Sequence, residues 1–174
     1  MPMNKALTSS KYQHWCTPDW LWHRVTDFFG EGGILLDPCS NRWTSVKAAR
    51  HLKAGGLSEP WGRNVYMNPP YKGIGPWMLK AAREGVANGP VIALVPARTD
   101  TKWWHGTVPD RALSVCFVKG RIVFERPRRH GPTWTAGFPS ALILWDGSPL
   151  LPSDYRRKQR HRFKDFFHDI GWVV

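Results

Sequence analysis

The sequence is short of acidic residues, short of cysteine and without a long apolar run, and each shortage removes a class of protein. Only 13 Asp and Glu accompany 25 Lys and Arg in 174 residues, a formal charge of +12. Such a chain is drawn to polyanions, either nucleic acid or an anionic membrane surface, whatever its fold. No stretch of about 18 apolar residues occurs, so no membrane-spanning helix is expected. The opening MPMNKALTSSKY lacks the apolar core of a secretory signal. The cysteines Cys16, Cys39 and Cys116 are odd in number and far apart, which fits a reduced, cytoplasmic protein and not a disulfide framework. Neither CxxC nor HExxH appears, and no metal is expected. The length allows one domain with a real core and is too small for two.

What is abundant is tryptophan, with 11 residues, and positive charge towards the end of the chain. Residues 121–174 hold 10 basic and 5 acidic residues; residues 1–60 hold 7 and 5. The polyanion-facing surface is therefore expected mostly in the C-terminal half. Exposed tryptophans among such charges are candidates for stacking on bases.

Residues 1–13 are polar and are expected to be flexible. Thr17-Pro18 predicts a helix start, with Thr as cap and Pro at the first helical position. Leu21, Trp22, Val25, Phe28 and Phe29 recur at helical spacing. Ile34–Leu36 predicts a buried strand that ends at Asp37-Pro38. Residues 43–52 predict a short helix, 65–67 a strand ending at NPPY, and 77–86 a helix. Residues 91–95 and 113–118 predict buried strands, 121–125 and 141–145 further strands, and 153–170 a basic, partly helical tail. Strands alternating with helices indicate an α/β protein with a mostly parallel sheet and helices on both faces. Ligands of such sheets sit beyond the carboxyl ends of the strands. DPCS, NPPY and PART all fall at such ends, which marks one shared site.

NPPY (68–71) carries the most specific chemistry. The lone pair of adenine's exocyclic nitrogen is delocalised into the ring, so an enzyme that alkylates it must hold its hydrogens with acceptors. The side-chain oxygen of Asn68 and the carbonyl of Pro69 can do so, and two successive prolines, Pro69 and Pro70, preorganise the backbone. Tyr71 can stack on a base turned out of the duplex. A plain Pro-Pro turn after a strand is the competing account.

At this motif the chain resembles the phage-type DNA N6-adenine methyltransferases, the Dam family. The resemblance extends in order through WCTPDWL (15–21), ILLDPCS (34–40), WGRNVYMNPPY (61–71), LVPARTDTKWWH (94–105), KGRIVF (119–124) and FPSALIL (138–144). It implies a compact Rossmann-like methyltransferase fold over residues 14–152, with a basic tail over 153–174 packed on the same domain. It also implies S-adenosylmethionine as methyl donor, double-stranded DNA as partner and a bacterial host's cytoplasm as location. It assigns catalysis to Asn68, Pro69, Pro70 and Tyr71. Thr17, Pro18, Asp37, Pro38 and Cys39 match the donor-binding segments. The family's usual acid before Gly-Leu, a candidate partner for the donor's ribose, is replaced here by Gly55, and Glu59 is the nearest substitute. The distance from Asp37 to Asn68 is short for two strand–helix units, so one strand is expected to be missing.

Arg98 and Lys102 either contact DNA or sit at a solvated helix start capped by Asp100 or Thr101. Arg121, Arg126, Arg128 and Arg129, with Trp134 among them, suit a DNA-contacting loop, and a solvated hairpin is the alternative. The 156–164 cluster suits phosphate contact or mere solubility. Cys39 after Pro38 is also the nucleophile pattern of cytosine-5 methyltransferases, but the Glu-Asn-Val segment those enzymes need is missing, so Cys39 reads as a packing residue. Three other functions stay open at this stage: N4 methylation of cytosine, methylation of RNA or of a Gln or Asn side chain, and a non-catalytic DNA-binding protein on a methyltransferase fold.

Overall fold

The computed structural model describes residues 16–125, 134–147 and 151–174. The expected flexible segment 1–13 and Arg126, Arg128 and Arg129 lie outside them. Helix α1 (Asp19–Phe29) buries Leu21, Trp22, Val25, Phe28 and Phe29, the stripe expected from their spacing. Strand β1 (Leu36–Asp37) is followed by β2 (Arg50–His51), β3 (Val65–Met67), α2 (Gly75–Asn88) and β4 (Val91–Pro96). Then come α3 (Lys102–Thr107), β5 (Ser114–Val118), and β6 (Val123–Phe124) paired with β7 (Trp134–Thr135) as a separate ribbon. Strand β8 (Ser140–Trp145), helix α4 (Ser153–Phe167) and β9 (Gly171–Val173) complete the chain.

The sheet has seven strands in the order β2-β1-β3-β4-β8-β5-β9. The expectation of a mostly parallel sheet is corrected. β2, β1, β3 and β4 are parallel, while β4–β8, β8–β5 and β5–β9 are antiparallel and include the longest pairings. The reason lies in the late part of the chain. Strand β8 returns through a ribbon and inserts between β4 and β5, and β9 adds an edge that its three residues did not announce.

Two further expectations fail. No helix forms over 43–52. There the Asn41 carboxamide accepts the Trp43 amide (2.7 Å) and the Thr44 hydroxyl accepts the Val46 amide (3.3 Å), local bonds that compete with a helix. The amides of Arg50 and Leu52 then pair with carbonyls of Leu35 and Asp37, which makes β2. Nor does Thr17 cap α1: Pro18 is the N-cap, with no side-chain cap bond, and the Thr17 hydroxyl turns inward.

Helices cover both faces. The Cys116 thiol bonds the Phe167 carbonyl of α4 (3.6 Å), and Leu142, its cross-strand partner, shares that face. Trp145, an odd number of residues along β8, faces the other way. There it meets α2 so closely that a Cβ on Gly85 would lie 2.4 Å from the Trp145 Cβ, so glycine is required for the helix to seat. The Trp145 indole donates to the Thr107 carbonyl (2.9 Å). Phe28 packs edge-on to Phe163 and Phe166, which joins α1 to α4. Strands β4 and β8, buried along their whole length, form the centre of the core. Among the described residues, no helix is long and apolar enough to cross a membrane.

Candidate active site

Strand order reverses between β1 and β3: the chain steps outward from β1 to β2, then returns to place β3 on the other side. Such a switch point opens a crevice at the carboxyl ends of the strands. β1 ends there with Asp37 and β3 leads there into Asn68. Asp37 is 5% exposed. One of its oxygens accepts the Cys39 amide (3.2 Å), and the other lies 3.7 Å from His51 Nδ1.

The Asn68 carboxamide is held at both ends. The Tyr71 hydroxyl donates to its oxygen at 2.8 Å, and its nitrogen donates to the Thr17 hydroxyl at 3.4 Å. That hydroxyl is also 2.8 Å from the Tyr66 hydroxyl, and the Thr17 carbonyl accepts from Ser45 (3.0 Å). Burial raises the pKa of both phenols, Tyr66 and Tyr71, so they stay protonated donors. The ring of Tyr71 is buried edge-on against Phe138. Pro69 is buried and Pro70 half-buried.

Around this chain of bonds lies a small polar pocket that opens to solvent. Ser40, Asn41 and Thr44 join Thr17, Asp37, Cys39, Val46, Tyr66 and Asn68 in its lining. Segments distant in sequence thus meet at one place, and most of the lining can donate or accept hydrogen bonds. Burial, then the Asp37 charge, push the Cys39 thiol well above its ordinary range, the opposite of what a thiolate nucleophile needs.

The loop 54–61 packs against Pro38, which lies between the pocket-lining Asp37 and Cys39. A Cβ on Gly56 would lie 1.9 Å from the Pro38 carbonyl oxygen, so only glycine permits this approach. The Trp61 indole donates to the Gly56 carbonyl (2.6 Å), and Lys80 donates to the carbonyls of Leu57 (3.0 Å) and Glu59 (2.6 Å). The Glu59 side chain is exposed, pairs with Arg50 at 3.5 Å and is not in the pocket lining.

The DNA-contact candidates are dispersed. Arg98 and Lys102 are exposed beyond the carboxyl end of β4, where Lys102 begins α3. The helix start expected there forms, although Thr101 donates to the Arg98 carbonyl (2.8 Å) and does not cap with its side chain. Arg121 is exposed after β5, and the Trp134 backbone pairs with Phe124. The sequence reading missed Tyr66, Ser40, Asn41 and Thr44. For Tyr66 a signal existed: it stands two residues before Asn68, and strand pleating puts alternate residues on one face.

The model of the DNA N-6-adenine-methyltransferase (Dam) family matches residues 5–151. The chain belongs to the Dam family. It is an adenine-specific DNA methyltransferase, a transferase. A DNA N-6-adenine-methyltransferase of Haemophilus phage HP1 (strain HP1c1) is 30% identical over 148 residues, 83% of this chain and 85% of the phage protein. No solved structure matches. The Dam match takes in every pocket-lining residue and stops before α4 and β9.

Proposed function

We propose that the chain transfers the methyl group of S-adenosylmethionine to the N6 amine of an adenine flipped out of double-stranded DNA. The observation that carries this reading is the Asn68 carboxamide, fixed by Thr17 and Tyr71 at a pocket that the buried Asp37 carboxylate also lines. Orienting the amide in advance is what an acceptor for a poorly nucleophilic amine requires.

The lining fits the donor. The Asp37 carboxylate suits a cationic amino group and the neighbouring sulfonium, and Ser40, Asn41 and Thr44 offer partners to a polar amino-acid end. Pro18, Asp37, Pro38 and Cys39 would hold it, while the Thr17 hydroxyl is engaged by Asn68 and Tyr66 and Glu59 is turned away to Arg50. When bound, S-adenosylmethionine supplies an electrophilic methyl group.

Asn68 Oδ1 and the Pro69 carbonyl accept the two N6 hydrogens, which localises the nitrogen lone pair. An amide oxygen has two acceptor positions, so a bond from Tyr71 is compatible with one from the amine. The first task of Tyr71 is thus orienting Asn68, ahead of stacking on a base. Arg98, Lys102, Arg121, Arg126, Arg128, Arg129 and Trp134 are assigned to the duplex around the target. We read the parallel strands β1 to β4, wound about their switch point, as a compact Rossmann-like methyltransferase core to which β8 and β9 add an antiparallel flank. The setting is the cytoplasm of a bacterial host.

Expression in a host without adenine methylation tests the reading. Plasmid DNA should acquire N6-methyladenine at a short mapped sequence. Asn68→Ala should lower turnover by ~10²-fold or more with donor binding retained by calorimetry, and Asp37→Ala should weaken donor binding. Unmodified plasmid, or near wild-type turnover in Asn68→Ala, sinks it.

A further inference from the structure

Helix α4 carries the chain's most concentrated positive charge, and it lies away from the pocket. Its inner stripe buries Phe163 and Phe167. The outer face presents Arg157 and Lys164, two turns apart, with Lys158 and His161 beside them, all exposed. Arg157 and Lys164 are about 10 Å apart along the helix. Among the described residues neither has a carboxylate within 4.0 Å, and Lys158 has only the exposed Asp154 at 3.6 Å, a pair worth little in water.

The first turns of α4 are anchored at the amino ends of the parallel strands. The Tyr155 hydroxyl donates to the Asp146 carboxylate (3.3 Å), just past the end of β8 that pairs with the start of β4, and the Arg160 Nε donates to the Leu113 carbonyl (3.0 Å), just before β5. Asp37 and Asn68 stand at the carboxyl ends. The six residues of β4 separate the two levels by about 17 Å, and three strand spacings separate β3 from β5, about 14 Å more. A straight duplex seated over the carboxyl ends does not reach Arg157. Helix α4 also lies beyond residues 5–151, which the family match covers.

We propose that the outer face of α4 is a second DNA-binding surface that holds phosphates of a duplex segment other than the one containing the target adenine. This rests on the proposed function, because the partner is identified by the DNA on which the pocket acts. Exposed, weakly paired cations on one helix face bind duplex backbone without reading sequence. Holding a second segment raises the local concentration of the first, so long DNA becomes a better substrate than a short duplex with the same target.

The test uses the full chain with Arg157→Gln, Lys158→Gln and Lys164→Gln combined, against the charge-retaining set Arg157→Lys, Lys158→Arg and Lys164→Arg. Thermal melting establishes that both fold. The substrates are a short duplex just covering the mapped target and a plasmid-length linear DNA. The neutral variant should methylate the short duplex at the wild-type rate. Its affinity for long DNA should fall on the order of 10- to 100-fold, and its salt dependence should flatten by roughly 0.9 in slope per lost contact; the charge-retaining set should restore both. Equal losses on short and long DNA would place α4 in the footprint of the target and overturn the proposal. So would unchanged binding to long DNA, or a loss seen only with single-stranded RNA or anionic phospholipid vesicles. Failure of the wild-type chain to methylate either DNA would instead sink the reading of the pocket.

Discussion

The Tyr71 hydroxyl donates to the side-chain oxygen of Asn68 at 2.8 Å across one turn of the NPPY segment. The last residue of the motif therefore orients the first. Tyr71→Phe keeps the buried ring against Phe138 and removes only this bond. Turnover should fall on the order of tenfold, less than in Asn68→Ala, with melting temperature nearly unchanged. The double variant should be no worse than Asn68→Ala, because both changes act through one amide. Additive losses in steady-state kinetics would separate the two residues.

Thr17 supplies the other hold on Asn68. Thr17→Val keeps the shape but leaves the Asn68 amide nitrogen and the Tyr66 hydroxyl without that partner, a loss of about 1–3 kcal/mol. Turnover should drop while donor affinity, read by calorimetry, stays close to wild type; Thr17→Ser should restore it. A variant that lost donor affinity alone would assign Thr17 to the donor and not to the amide.

Cys39 is held protonated by burial and by Asp37. Cys39→Ser should keep most of the activity, and no covalent adduct should form on DNA containing 5-fluorocytosine. A trapped adduct at Cys39 would replace amine methylation with attack on a cytosine ring.

Gly56 admits no side chain beside the Pro38 carbonyl. Gly56→Ala should displace Pro38, between the pocket-lining Asp37 and Cys39, and lower catalysis by as much as ~10²-fold, as misplacement of about 1 Å can. Gly106→Ala is the control: nothing lies within 4 Å of the new methyl group in α3, and the helix should gain about 0.5–1 kcal/mol. Equal effects of the two in melting and turnover would remove the steric account.

Burial raises the pKa of Asp146 to about 6 from an ordinary 3.8, partly offset by the hydrogen bond from Tyr155. The folded chain therefore binds a proton more readily than the unfolded one between those values. The stability this contributes is complete below about pH 4 and is lost as the pH rises through 6. Asp146→Asn, which keeps an acceptor for Tyr155, should melt higher than wild type at pH 8, by about 1–3 kcal/mol in stability, and the gain should vanish near pH 4. A gain independent of pH would exclude titration of Asp146 as the cause.

The sequence by itself determined most of the local elements, though not the irregular course of residues 43–49 or the strand β2. Runs such as VIALV and the stripe of Leu21, Val25 and Phe28 encode burial through periodicity, and NPPY and DPCS encode stiff turns at strand ends, because proline restricts the backbone wherever it stands. Only the tertiary structure decided how these pieces meet. Insertion of β8 between β4 and β5 depends on pairings between residues far apart in the chain, as does the edge strand β9, and neither leaves a local signature. The same holds for Thr17, which is a good helix cap by sequence. In the fold its hydroxyl is withdrawn from α1 and placed between Tyr66 and Asn68, because buried polar groups on three separate segments can satisfy one another only once those segments are packed together.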